Sequence, residues 1–394
     1  LWAHSTGAYM VLLQEEFGWS STIVSAAFAL TRIESGLLGP VQGWLTDRFG
    51  PRTILLLGTT LFGIGFMLFS RIESVLGFFG AFATIAVGAS LGGFPTLMVS
   101  IVGWFRRHRA KAVAASTTGF ALGGLLVPVV VASLEAYGWR ITAFGSGVVI
   151  LLLGLPLCLV VRHHPEDWGE LPDGRRRDRR GGAGAQERLA GPELTAAQAL
   201  RTAAFWLISF GHALALLIVS AVMLHLVAHL VQLGYSLAAA GLVVAAMTGF
   251  QVLGQLVGGY LGDRLDKRLI CAVCMVMHTT GLLLVTYAVS VPMVVAFAAL
   301  HGLAWGARGP LMVALRADCF GAGAFGTILG WSSLIVMLGM SGGPIVAGVM
   351  ADLSGNYRAG LTVLARRSLL GAFCFLATRI PRGEEVPSAE APGP

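Results

Sequence analysis

Charge is what this chain has least of. Asp, Glu, Lys and Arg make up only 12% of its 394 residues, against about 25% in a soluble domain. With 56% hydrophobic residues, it has no polar coat for a water-facing core, which excludes an ordinary soluble enzyme or binding domain. Cysteine is scarce too. Cys158, Cys271, Cys274, Cys319 and Cys374 are scattered through apolar stretches and imply no disulfide. Cys271 and Cys274 form a CxxC, but no second pair or nearby histidine completes a metal site. Neither metal nor cofactor is expected, and no nucleophile–base pattern points to an enzyme. No cleavable leader is visible, and the chain opens part-way into an apolar segment, so the first span reads as truncated. The net charge of +7 would suit nucleic acid, yet the basic residues sit between apolar spans, so no nucleic-acid partner is expected.

What the chain has is long apolar runs. A spanning helix needs about 20 mostly apolar residues. Such runs occur at 1–14 (partial), 21–46, 53–70, 75–103, 111–134, 141–161, 203–232, 236–262, 269–289, 292–315, 325–352 and 359–378. The pattern predicts an all-α membrane protein. It has an N-terminal six-helix bundle at 1–161, a basic linker at 162–202, a C-terminal six-helix bundle at 203–380 and a tail at 381–394. Most of the 27 basic residues then fall on one side, Arg316 counted among them. Only Arg71, Arg140 and Arg358 fall on the other. That bias puts the 43–52 loop and the central linker in the cytoplasm of a multi-pass protein of the cell inner (plasma) membrane. Trp19 and Trp139 mark one interface; Trp44, Trp104 and Trp206 mark the other. The linker, with R-R-R-D-R-R at 175–180 followed by G-G-A-G-A, reads as a disordered or partly helical hinge. A monomer in the lipid bilayer is expected.

One loop occurs twice. Residues 43–52 read G-W-L-T-D-R-F-G-P-R and residues 259–268 read G-Y-L-G-D-R-L-D-K-R. Gly43, Asp47, Arg48 and Arg52 meet Gly259, Asp263, Arg264 and Arg268 at a constant offset of 216. Pro95 and Phe105 echo Pro310 and Phe320 at 215. Two similar membrane halves in parallel recur in secondary transporters. The first copy, with Gly43, Leu45, Asp47, Arg48, Gly50 and Arg52, resembles the signature loop of the major facilitator superfamily. Further segments are similar to its monocarboxylate and oxalate–formate branch: E-E-F-G-W-S at 15–20, W-F-R-R-H-R at 104–109, G-W-R at 138–140 and A-D-C-F-G at 317–321. The resemblance implies the major facilitator fold, a central cavity and alternating access. It also implies that Asp47 with Arg48 and Arg52, and Asp263 with Arg264 and Arg268, act as gate latches, a carboxylate being favoured at a positive helix end. The solvated-turn reading of both loops stays open. Relatives of this branch place an arginine in the eighth span; here 236–262 carries no charge and offers Thr248, Gln251 and Gln255 instead.

Ionisable groups inside spans are functional candidates by default. Arg32 and Glu34 lie near mid-span in 21–46, two residues apart and therefore on different faces. Arg32 suits an anion, because its fork matches a carboxylate; Glu34 suits a coupled proton. In 292–315, His301, Trp305 and Arg308 share one stripe beside Gly302, Gly306 and Gly309; the stripe is expected to face the cavity and contact the solute, with Arg308 the second anion candidate. Snorkelling towards the cytoplasmic end is its alternative. His225 and His229 are candidates for proton transfer or for packing. Arg366 and Arg367 interrupt the last span without an evident role.

These residues lead to a secondary transporter for a small organic anion, a carboxylate, coupled to protons or working by exchange. An efflux carrier for amphipathic compounds, which Trp305 and Trp331 would suit, and a non-transporting membrane sensor are the alternatives.

Overall fold

The computed structural model describes residues 9, 12–13, 16–19, 23, 34, 36–125, 127–176 and 193–380. The expected span 1–14 lies largely outside the described residues, and so does the first half of 21–46, with Arg32 in it. The helices that follow are α1 Gly39–Phe49, α2 Pro51–Phe69, α3 Val75–Leu91, α4 Phe94–Trp104, α5 Arg109–Leu125, α6 Val127–Val149 and α7 Leu155–Val160. After the linker come α8 Ala196–Arg201, α9 Ala203–Gln232, α10 Leu237–Gly262, α11 Lys267–Thr286, α12 Val291–Phe320, α13 Phe325–Ser354 and α14 Arg358–Ala377. Among the described residues, nine helices are long and apolar enough to cross a membrane, and α9 to α14 supply the last six. The protein is an all-α, multi-pass membrane protein.

Small polar residues start the helices. The side chains of Ser74, Thr202 and Ser236 accept the backbone N–H three residues on, satisfying first-turn donors that no carbonyl can reach. The two copies of the duplicated loop begin their next helix by different means. In the first, Gly50 takes φ 82° and Pro51 opens α2, a conformation that glycine adopts freely. In the second, Asp266 stands at the equivalent place and its carboxylate accepts from Arg268 N at 2.9 Å. The hydrogen bond from Arg268 also holds the Asp266 carboxyl below its ordinary value.

One expectation, the place of Arg316, is corrected, and two are given detail. The run 75–103 is one candidate span, Val75–Trp104, with a break in its helix at Gly92 and Gly93, where Thr96 Oγ1 donates to Leu91 O at 2.7 Å. Arg316, counted with the cytoplasmic loops, lies inside α12 and is 1% exposed; the helix runs on to Phe320 and stops only at Gly321, φ 83°. The described ends of the linker carry secondary structure, a short hairpin and the helix α8, which leaves the partly helical reading standing. Trp104 Nε1 and Ser100 Oγ donate to Arg162 O, Arg162 stacks on Trp168 at 3.6 Å, and a two-residue hairpin pairs Glu170–Leu171 (β1) with Arg175–Arg176 (β2). At the far end, Thr195 and Gln198 form a capping box on α8.

The chain forms two compact units: Leu1–Trp104 with Thr118–Arg177, and Phe105–Thr117 with Asp178–Pro394. In the first, α2 packs on α3 and α6 around Phe66, Phe69, Phe78, Phe82 and Trp139. Two motifs distant in sequence meet there. Glu16 accepts from Trp139 Nε1 and from Arg140 Nη2, the latter at 2.7 Å; the Arg140 guanidinium lies 4.4 Å from the Trp139 ring. In the second unit, α12 packs on α10 and α11, α9 on α13, and α14 on α11 and α9.

Candidate functional site

The second unit holds two apolar clusters with a polar layer between them. One cluster gathers Phe205, Met275, Leu311, Leu315 and Phe375. The other gathers Leu226, Leu282, Val285, Phe297 and Leu364. Reading along each helix, the break falls at His278 on α11, at His301 and Arg308 on α12, and at Ser368 on α14. All four are at most 1% exposed. Helical spacing explains the layer: residues 301 and 308 are seven apart, two turns, and so share a face of α12.

The layer is drawn tight by glycine. A Cβ on Gly306 would sit 1.9 Å from Gln251 O, and one on Gly302 2.4 Å from Met247 O. Only residues without side chains let α10 and α12 approach this closely. Gly309, grouped with them from the sequence, has nothing within 4 Å and takes no part.

Two guanidinium groups lie inside this unit, and they differ. Arg316 is fully engaged: Nε and Nη2 donate to Ser332 Oγ at 3.1 and 2.7 Å, Nη1 donates to Met312 O, and Nη2 meets His212 Nδ1 at 3.0 Å. Ser332 is tied in turn to Ser209 at 2.8 Å. Arg308 differs in leaving donors unspent among the described residues. It is 1% exposed, and its Nε and Nη1 have no hydrogen-bond partner among the described residues. Neither arginine belongs to an ion pair found among those residues, whose buried polar side chains include no Asp or Glu. The snorkelling alternative for Arg308 fails, because its side chain lies within the bundle.

Close by, His278 Nδ1 and His301 Nδ1 stand 3.1 Å apart, and Nε2 of each ring is buried without a partner among the described residues. Thr279 and Ser368 donate to Met275 O and bind α11 to itself and to α14.

The other candidates are spread out. Trp305 is half-buried against the second apolar cluster. Gln251 and Gln255 are half-buried on α10, Gln255 Oε1 lacking a partner among the described residues, while Thr248 is exposed and bonds its own helix at Val244 O. His225 Nε2 meets Pro344 O and His229 Nε2 meets Val285 O, each at 3.0 Å. Both histidines tie α9 to neighbouring helices. Glu34 is half-buried in the first unit. Arg366 and Arg367 are exposed on α14.

In the first copy of the loop, Gly43 and Gly50 are buried and Asp47 half-buried. Arg48 and Arg52 are exposed, Arg48 lying over Trp44 at 5.4 Å. The second copy is engaged. Asp263 Oδ1 accepts from Ala110 N at 2.9 Å and Oδ2 from Lys111 N at 3.3 Å. Gly259 makes room, since a Cβ there would lie 2.6 Å from Ala114 Cβ. Arg264 donates to Tyr260 Oη and covers its ring. Arg268 donates to Asp266 and to Thr378 O. Asp318, not singled out as a site residue, joins Arg109 at 2.9 Å and Lys267 at 2.7 Å. His278 and Arg316 were also missed: a lone histidine in an apolar run and an arginine near a helix end carry no local mark.

Comparison with known proteins agrees with this architecture. The family model described as Major Facilitator Superfamily matches residues 3–249 and 205–394. The MFS transporter asaE of Aspergillus flavus is 25% identical, over 96% of this chain and 82% of its own. Monocarboxylate transporter 13 of Bos taurus is 26% identical, over 94% of this chain and 84% of its own. Among solved structures, the E. coli fucose:proton symporter superposes with a TM-score of 0.73 at 15% identity, covering 96% of each chain. The chain therefore belongs to the Major Facilitator Superfamily of membrane transporters.

Proposed function

We propose that this protein is a secondary transporter that moves a small organic anion, a carboxylate, by alternating access. The observation that carries the reading is Arg308, a buried guanidinium with unspent donors and no acidic partner among the described residues. An unpaired charge at such depth costs several kcal/mol, which a stably folded protein tolerates where an opposite charge visits. A planar fork with two free N–H groups suits the two oxygens of a carboxylate. The likeness to monocarboxylate transporter 13 over most of the chain supports the same substrate class.

In this reading Arg308 contacts the anion, and Gln255 and Trp305 line its approach. Arg32 is the second contact on sequence grounds alone. Asp263 and Asp47 serve as gate latches, with Gly43, Arg48, Gly50, Arg52, Arg264 and Arg268 shaping their loops. The protein sits in the plasma membrane as a monomer, with both latch loops and the central linker cytoplasmic.

The test is counterflow in proteoliposomes with a panel of mono- and dicarboxylates. Wild type exchanges at least one of them, Arg308→Gln loses that exchange, and Arg308→Lys keeps a fraction. Undiminished counterflow in Arg308→Gln overturns the proposal.

A further inference from the structure

Between α11 and α12, two imidazoles meet with no other polar partner among the described residues. His278 and His301 are 0% exposed, their rings 4.5 Å apart in an edge-to-face arrangement, and their Nδ1 atoms lie at hydrogen-bond distance, 3.1 Å. That contact fixes the protons. One Nδ1–H donates and the other Nδ1 accepts, so the donor ring carries a bare lone pair on Nε2 and the acceptor ring an Nε2–H. Both Nε2 atoms are buried and have no partner among the described residues. A buried lone pair with nothing to accept is expensive to maintain for packing alone, and two apolar side chains would fill the same space without that cost. What the pair offers is a vacancy for one proton.

The charged and titratable groups around it are few. His301 shares its helix face with Arg308. Cys274 and Cys271 lie one and two turns before His278 on α11. The residue that α14 buries at this level is Ser368, while its Arg366 and Arg367 are exposed. Nothing acidic is buried nearby among the described residues. One positive charge therefore governs the pair, that of Arg308.

We propose that the His278–His301 pair is the proton-coupling site of the transporter, loaded when an anion occupies Arg308. The inference rests on the anion reading of Arg308 and takes the coupling role away from Glu34, His225 and His229; His301 becomes a partner of His278 rather than a solute contact. With the anion in place, the guanidinium charge is offset, and one proton from water adds to the free Nε2 lone pair. The Nδ1–H···Nδ1 bond is kept. The pair becomes a single imidazolium, and anion, guanidinium and imidazolium leave the site with the charge it had when empty. Release of the anion on the far side returns the proton to water there. One proton then accompanies each monovalent anion.

The experiment separates coupling from binding. Wild type, His278→Gln, His301→Gln and His278→Asn are reconstituted and assayed with labelled lactate and succinate. One assay is counterflow, which needs no net proton movement; the other is accumulation driven by an acid-outside gradient. The expected result is counterflow retained and gradient-driven accumulation lost in the histidine variants. Retained counterflow also shows that a variant is folded. Accumulation intact in the variants overturns the proposal, as does wild-type accumulation that ignores the pH gradient; both leave Arg308 as the anion contact. Loss of both activities in every variant makes the pair structural and overturns it too. Absence of carboxylate counterflow in wild type itself removes the anion reading and this inference together.

Discussion

The carboxylate of Asp263 accepts the backbone N–H of Ala110 at 2.9 Å and that of Lys111 at 3.3 Å. These are first-turn donors of α5, which begins at Arg109, so a side chain from the end of α10 neutralises the positive end of another helix. Asp263→Asn keeps a hydrogen-bond acceptor and loses the charge; Asp263→Ala loses both. The alanine variant is expected to lose about 1 kcal/mol of stability, and the asparagine variant less. If the contact is a latch that breaks in each cycle, Asp263→Asn changes turnover more than affinity. Counterflow rate against solute concentration measures this, and a shift in apparent affinity alone counts against the latch.

Close helix approach makes a second prediction. A Cβ at Gly306 would fall 1.9 Å from Gln251 O, a backbone atom that cannot swing aside. Gly306→Ala should therefore push α12 from α10 and destabilise the protein by about 1–3 kcal/mol. Gly309→Ala, three residues on with nothing within 4 Å, is the matched control and should be near neutral. Thermal unfolding of the two variants in detergent compares them directly, and equal melting points would refute the packing argument.

The contrast between these glycines shows where sequence reading succeeds and where it stops. Periodicity and length located α9 to α14 within a few residues, because each is a long apolar run bounded by a cap or a glycine. The duplicated loop was visible, and so was the acidic residue in it; that Asp263 meets Ala110 was not, because a backbone N–H leaves no trace in composition. His301 and Arg308 stood out as polar residues in an apolar helix. Their partners did not: His278 pairs with His301 across 23 positions, and Arg316 spends its donors on Ser332 and His212. Helical spacing reports neighbours within an element, whereas these contacts are set by which faces pack. Gly309 was misjudged for the same reason, its place on the helix wheel saying nothing of what lies opposite.

The Glu16–Trp139–Arg140 contact in the first unit carries a pH dependence. The hydrogen bond from Trp139, with that from Arg140, holds the Glu16 carboxyl below its ordinary value of 4.5. A carboxyl with a depressed folded value contributes stability above its unfolded value, and the contribution fades as pH falls through the folded one. The contact should be intact at neutral pH and lost below the ordinary glutamate range. Acid titration of tryptophan fluorescence should show a transition there in wild type that is absent in Glu16→Gln. A transition unchanged by that substitution would assign it to other groups.

Arg308 and Arg316 stand eight residues apart on one helix, equally buried, and replacing each by methionine should have opposite consequences. Arg316→Met strips the partner from Ser332 and His212 and leaves buried polar atoms unsatisfied, at about 1–3 kcal/mol. Arg308→Met breaks no hydrogen bond among the described residues and removes a buried charge whose Nε and Nη1 are unspent; a hydrophobic replacement for such a charge is neutral or stabilising. The empty Arg308→Met protein should thus melt at or above the wild-type temperature, and Arg316→Met below it. Adding the transported carboxylate should then raise the melting point of wild type, which holds the anion in the folded state alone, and leave that of Arg308→Met unmoved. A strongly destabilised Arg308→Met protein would mean that its guanidinium supports the fold, and the argument from unspent donors would fall.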